Sequence, residues 1–126
     1  MDNPGGFNFI DLEGPGQLPP TKVRLLELRA EPWPDGRRVR VHVQITPFQQ
    51  RPNLDLRIED AQGNEVASAS LIELVTARLV VTLHIRAAQV EGRYTLFGRL
   101  SYPDLDANHE LSHPFEIHEV QAPPDG

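Results

Sequence analysis

Three oxygen-bearing side chains at alternate positions, Asp104, Asp106 and Asn108, are the nearest approach to a metal site in this 126-residue sequence. Calcium loops open this way, because a hard cation gathers oxygen ligands from every second residue. The pattern then breaks. His109 stands where such a loop needs a glycine for its sharp turn, and Phe115 where a bidentate Glu should close it. An ordinary polar loop after Tyr102 and Pro103 is the simpler reading, so no metal or other cofactor is expected.

Five histidines, His42, His84, His109, His113 and His118, could in principle ligate a metal. His42 and His84 fall on the wet faces of two strands expected to pair, as candidate cross-strand neighbours. Two imidazoles without a third ligand make a weak site, and solvated surface histidines fit better. Cysteine is absent, which removes thiolate nucleophiles, disulfides and Cys-based metal sites together. Ser68, Ser70, Ser101 and Ser112 lack the Gly-x-Ser-x-Gly setting of an activated nucleophile. Asp55, Glu59 and Glu116 alternate with Arg57 and Arg99 as a charge ladder on a solvated sheet would. The expectation is a protein that is not an enzyme.

Residues suited to binding are more evident than residues suited to catalysis. Phe48, Gln49, Gln50 and Arg51 lie between Pro47 and Pro52, and Leu105 and His109 lie between Pro103 and Ser112. Both segments read as loops at one end of the molecule, where recognition residues collect. Phe97 projects among Thr95, Arg99 and Arg57. A charged ring around an exposed aromatic can anchor an interface, or a docked tail carrying Phe7 or Phe9 can cover it. Trp33, between Pro32 and Pro34, is expected to cover one end of the core.

The elements that hold these residues follow from apolar spacing. Val39, Val41, Val43 and Ile45 alternate with Arg40, His42 and Gln44, the period of a strand with one buried face. Leu54, Leu56 and Ile58 repeat the pattern, as do Leu79, Val81, Leu83 and Ile85, and then Tyr94, Leu96, Gly98 and Leu100. Phe115 and Ile117 begin a last strand running to about Val120. In the first strand, Lys22 to Arg29, the apolar residues Val23, Leu25, Leu26 and Leu28 change parity midway, which a bulge would explain. Glu65 to Leu74 reads as an edge strand, with a short helix over Leu71 to Thr76 as the competitor. Pro34-Asp35-Gly36 and Asp60 to Asn64 supply turns. Seven short strands without helices predict an all-β, seven-stranded antiparallel two-sheet sandwich.

Gln89 to Leu96, reading Gln-Val-Glu-Gly-Arg-Tyr-Thr-Leu, resembles the tyrosine corner of immunoglobulin-like domains, with Gly92 two residues before Tyr94. Leu96 stands where an antibody domain carries its second core cysteine. The resemblance, of immunoglobulin-like or fibronectin type III-like kind, covers about Lys22 to Val120. Fibronectin-like connectivity implies one sheet of the first, second and fifth strands and another of the fourth, third, sixth and seventh. It also implies binding more often than catalysis, although a fold alone licenses no function.

Composition bounds the partners. The formal charge is -6, and all 12 basic residues lie between Lys22 and Arg99. Without Asp2, Asp11, Glu13 and Asp125 the remainder carries 12 basic against 14 acidic residues. No basic stripe of the kind that neutralises phosphates is present, which argues against nucleic acid and anionic membranes as partners. Residues 1–21 and 121–126 read as flexible Gly/Pro-rich tails around a domain at 22–120. No signal peptide or spanning segment is legible, so a cytoplasmic location is the default expectation. The expected role is a protein-interaction module, monomeric or weakly dimeric. A carbohydrate-binding sandwich and a small chaperone-like or assembly-forming sandwich are the alternatives. The former should display a row of exposed aromatics, and the chain has only 8 aromatic residues to supply it.

Overall fold

The computed structural model describes residues 16–87 and 89–118, so residues 1–15 and 119–126, where most of the expected tails fall, lie outside it. Seven strands follow one another: β1 (Leu25–Pro32), β2 (Arg38–Ile45), β3 (Asn53–Asp60), β4 (Glu65–Leu71), β5 (Arg78–His84), β6 (Gly92–Tyr102) and β7 (Ala107–Ile117). Among the described residues a 3-10 turn, Pro20–Lys22, precedes them. The seven strands pair antiparallel throughout, in a three-stranded sheet ordered β1-β2-β5 and a four-stranded sheet ordered β4-β3-β6-β7. This is the fibronectin-like arrangement that the hairpin at Asp60 to Asn64 implies. No helix among the described residues is long and apolar enough to cross a membrane.

Alternation in the sequence becomes burial in the fold. Val39, Val41, Val43 and Ile45 are at most 1% exposed, and Leu54, Leu56, Ile58, Leu96 and Leu100 fill the same interior from the facing sheet. Each such side chain contributes about 1.5 to 3 kcal/mol relative to exposure. A one-residue slip would therefore turn a whole row of them outward. The parity change in β1 is a bulge: the register shifts between Leu25 and Glu27, burying Leu25 and Leu28 and leaving Leu26 56% exposed. The tyrosine corner is closed, with the buried Tyr94 hydroxyl donating to the Val90 carbonyl at 2.7 Å. Gly98 lies so close to β1 that a Cβ there would stand 2.9 Å from Leu28 Cδ1.

Three expectations change, and one open alternative is decided. The folded part begins before Lys22, because Leu18 forms a parallel bridge with Phe48, donating to the Pro47 carbonyl and accepting from the Gln49 N–H. The last strand begins at Ala107 rather than near Phe115, since its inner face carries His109 and His113 among the apolar residues and so hides its period. Glu65–Leu71 forms the expected edge strand β4; the bent segment after it is not helical, and Leu74 turns into the core with its N–H on the Pro52 carbonyl at 2.9 Å. Trp33 does not cap the core. Its ring lies beneath the guanidinium groups of Arg38 at 4.1 Å and Arg40 at 5.1 Å, which belong to the wet face of β2.

Candidate functional site

Three connections meet at one end of the sandwich: the β2–β3 loop, the β6–β7 turn and the crossing from β4 to β5. Tyr102, the last residue of β6, is buried and donates its hydroxyl to the Gln50 carbonyl at 2.8 Å. Burial disfavours the phenolate and pushes the Tyr102 pKa up to about 12. The bond clamps the β2–β3 loop against the β6–β7 turn, which closes through the Leu105 N–H on the Tyr102 carbonyl at 2.9 Å. On the other side Asn53 Oδ1 accepts the Glu73 N–H at 2.9 Å. That bond steadies Glu73 at a φ of 53°, a left-handed conformation that a residue with a Cβ adopts at a cost.

Between these connections lies a cleft of about 420 Å³. Its rim carries two uncovered aliphatic side chains, Ile72 at 68% and Leu105 at 46% exposure. Arg51, Glu73 and Asp104 add charge of both signs, and Tyr102 and Pro103 form the side beneath Leu105. The rim thus combines exposed aliphatic surface with charge of both signs. The bonds at Tyr102 and Asn53 set the shape in advance, which lowers the ordering cost of binding.

Gln50, Arg51 and Leu105, expected from sequence to share one end of the molecule, do line this cleft together. Gln49 sits beside it, exposed, with its side-chain amide donating to the Gln17 carbonyl at 3.3 Å. Phe48 does not face a partner: its ring is 4% exposed and belongs to the core, held inward by the bridge to Leu18. His109 also leaves the loop. It lies within β7 opposite Leu100, and its Nδ1 accepts the Leu25 N–H at 2.9 Å. Desolvation first, then the nearby positive charge of Arg24, holds the His109 pKa below the ordinary imidazole value.

Phe97 lies on the outer face of β6 as expected, with Arg57 covering its ring at 4.1 Å. The same guanidinium reaches Glu59 at 2.9 Å and Glu110 at 3.6 Å, so the aromatic sits within a charge network. Asp104 and Asp106 occupy the β6–β7 turn, whereas Asn108 is already in the ladder opposite Ser101. Among the described residues no group of three or more His, Asp or Glu is placed to hold a metal ion. His42 and His84 are not cross-strand neighbours. Their ladder sets His42 opposite Val80 and His84 opposite Arg38, and His42 bonds Glu31 at 2.9 Å instead.

Ile72, Asn53 and Glu73 are the contributors to the cleft that spacing alone does not identify. Ile72 continues the alternation of Val66, Ser68 and Ser70, so it reads as one more strand residue until the strand is seen to end at Leu71. Tyr102 could have been suspected, since a buried tyrosine at a strand end needs a partner for its hydroxyl.

No protein-family model and no curated protein matches the sequence. Among solved structures, the chain is similar in fold to part of a glycosyl hydrolase family 2 member from Bacteroides cellulosilyticus, with a TM-score of 0.54 and 18% identity over 75% of this chain. A β-glucuronidase from Lactobacillus rhamnosus gives a TM-score of 0.54 and 17% identity over 77% of this chain. One from Ruminococcus gnavus gives 0.51 and 14% over 77%. The chain spans only 15% to 16% of the length of these enzymes. At such identities the likeness is one of fold, and it identifies the described body as an immunoglobulin-like β-sandwich.

Proposed function

We propose that this protein is a non-enzymatic recognition domain that binds another protein through the cleft at the end of β6. The observation that carries the reading is the Tyr102 to Gln50 bond at 2.8 Å, which fixes two loops around the exposed Ile72 and Leu105. Among the polar groups noted from the sequence, Ser70 donates to Asp55 at 2.6 Å, and Glu59 and Glu110 are taken up by Arg57. The test is retention by the immobilised chain, compared between the native protein and Leu105→Glu. A protein retained only by the native chain is then purified and titrated by calorimetry. Binding about tenfold or more weaker for Leu105→Glu, at unchanged stability, supports the cleft. Equal affinity removes it.

A carbohydrate-associated role is the second reading, favoured by the β-glucuronidase names of the similar structures. Against it, Trp33 and Phe97 are covered by arginines, while Phe48 and Tyr102 are buried. Trp33 is the single tryptophan, so its fluorescence reports on this alternative. A saturable change on adding glucuronic acid or oligosaccharides would favour sugar binding over the protein partner.

A further inference from the structure

A sandwich of three strands against four leaves one flank unequal, and the hydrogen bonds of β5 show that flank to be open. Ile45 N–H bonds the Ala77 carbonyl and Ile85 N–H bonds the Arg37 carbonyl, one at either end of the β2–β5 ladder. Antiparallel alternation then commits Leu79, Val81 and Leu83 to β2 and turns the N–H and C=O groups of Val80, Thr82 and His84 away from it. Arg86, next in the alternation, spends its N–H on the Val66 carbonyl of β4 at 2.8 Å. Arg78 is closed off by the Thr76 hydroxyl, which bonds both its N–H and its carbonyl. Among the described residues the open stretch therefore runs from Val80 to His84.

The other three edges carry features that discourage an added strand. A bulge follows Leu25 in β1, which ends at Pro32. Pro114 interrupts the donors of β7, whose inner face carries His109 and His113. The β4 ladder shifts register near its start, opposite Ile58 and Glu59. In β5 there is no proline, glycine, lysine or inward-facing charge, and its register with β2 is unbroken.

Charge and apolar surface state what would fit. The outward residues of β2 and β5 are Arg38, Arg40, His42 and Gln44, and Arg78, Val80, Thr82 and His84; Arg38 is paired with Asp35 and His42 with Glu31, which leaves Arg78 as the cation at the edge itself. Of the 18 acidic residues in the chain, none lies in either strand. On the inner side Leu79 and Val81 of β5 are half-buried, and so are Ala69 and Leu71 at the edge of the facing sheet. Val80 is 55% exposed.

The geometry points to the β5 edge as the acceptor for an extended segment of a partner protein in which acidic residues alternate with aliphatic ones. Its backbone bonds Val80, Thr82 and His84, its aliphatic side chains cover Leu79, Val81 and Leu71, and its carboxylates face Arg78 and His84. A second copy of β5 supplies no carboxylate to face Arg78, since a symmetric pairing about Val81 sets Arg78 against His84.

The test is a titration of the 15N-labelled full chain with a short synthetic peptide alternating Glu and Val, and with its Lys and Val counterpart. Amide shifts centred on Val80, Thr82 and His84 are expected with the acidic peptide and not with the basic one. Val80→Pro removes only an edge N–H that β2 does not use, so it should abolish binding while keeping the β2 ladder. Arg78→Glu, at an exposed position, should weaken binding by about tenfold. Leu105→Glu, which disables the proposed loop cleft, should leave this binding unchanged, so the two surfaces fail separately. Absence of shifts at millimolar acidic peptide, equal binding of the basic peptide, or shifts centred on another edge would overturn the assignment.

Discussion

Leu25 donates its backbone N–H to His109 Nδ1 at 2.9 Å, joining the edge of one sheet to the edge of the other. The bulge after Leu25 frees that N–H from the β1–β2 ladder, and the inward side of β7 brings the imidazole to it. An accepting Nδ1 requires the proton on Nε2, so a single tautomer of the neutral ring makes this contact.

Protonation of His109 converts the acceptor into a donor, and stability should respond. The folded-state pKa lies below the unfolded value of about 6.5, so in the interval between them the unfolded chain binds more protons. The contribution is complete above about pH 6.5, declines as pH falls toward the folded-state pKa, and is constant below it. Urea unfolding at a series of pH values should show this decline in the native protein. His109→Gln, which keeps an acceptor but does not titrate, should lack it, and the difference between the two curves isolates His109 from the carboxylates. His109→Ala should cost about 1 kcal/mol at neutral pH.

Removing the Tyr94 hydroxyl leaves the Val90 carbonyl without its donor. Tyr94→Phe should lower stability by about 1 to 3 kcal/mol while leaving the apolar core intact. Denaturant unfolding with an unchanged slope would check both halves of that statement.

Gly98→Ala pushes a methyl group against Leu28, whose Cδ1 and Cδ2 lie 2.9 and 3.1 Å from the position it would occupy. A cost of about 1 to 2 kcal/mol is expected. Combined with Leu28→Ala, the two losses should sum to less than their separate values, because the second change makes room for the first. Additive losses would mean that the strands are not so close.

The clamp at the cleft has a spectroscopic signature. Tyr102 should ionise near pH 12, above the ordinary tyrosine value, when followed by ultraviolet difference absorbance in a chain carrying Tyr94→Phe. Tyr102→Phe should loosen the β2–β3 loop, speeding amide exchange at Gln49 and Gln50 with little change in global stability.

The strands and their sheets were largely legible because the inward rows of β2, β3, β5 and β6 have a strict period of two. The parity break at Leu25 and Leu26 even marked the bulge, and the spacing of Gly92 and Tyr94 marked the corner. Register and loop burial were less accessible, for physical reasons. Pairing His42 with His84 required the turn lengths that set the β2–β5 register, and those put Val80 opposite His42 instead. Phe48 reads as a loop aromatic, yet Leu18, placed in the presumed tail, holds it inward. Trp33 is apolar enough for a core, but cation–π contact with two arginines holds it on the wet face. Of the expected binding residues, Gln50, Arg51 and Leu105 converge because chain order alone puts their loops at one end. Ile72 and Glu73 join them through a crossing whose path depends on the Asn53 side chain.

The open β5 edge, and the three-stranded sheet to which it belongs, depend on how β2 and β5 are aligned. Cross-strand Hα–Hα contacts measured by NMR in deuterated solvent test that alignment directly. The ladder predicts strong contacts between Arg40 and Thr82 and between His42 and Val80, the pairs that do not exchange hydrogen bonds. Contacts of Arg40 with Val81 or Leu83 instead, the mark of a one-residue slip, or no β2–β5 contacts at all, would contradict it.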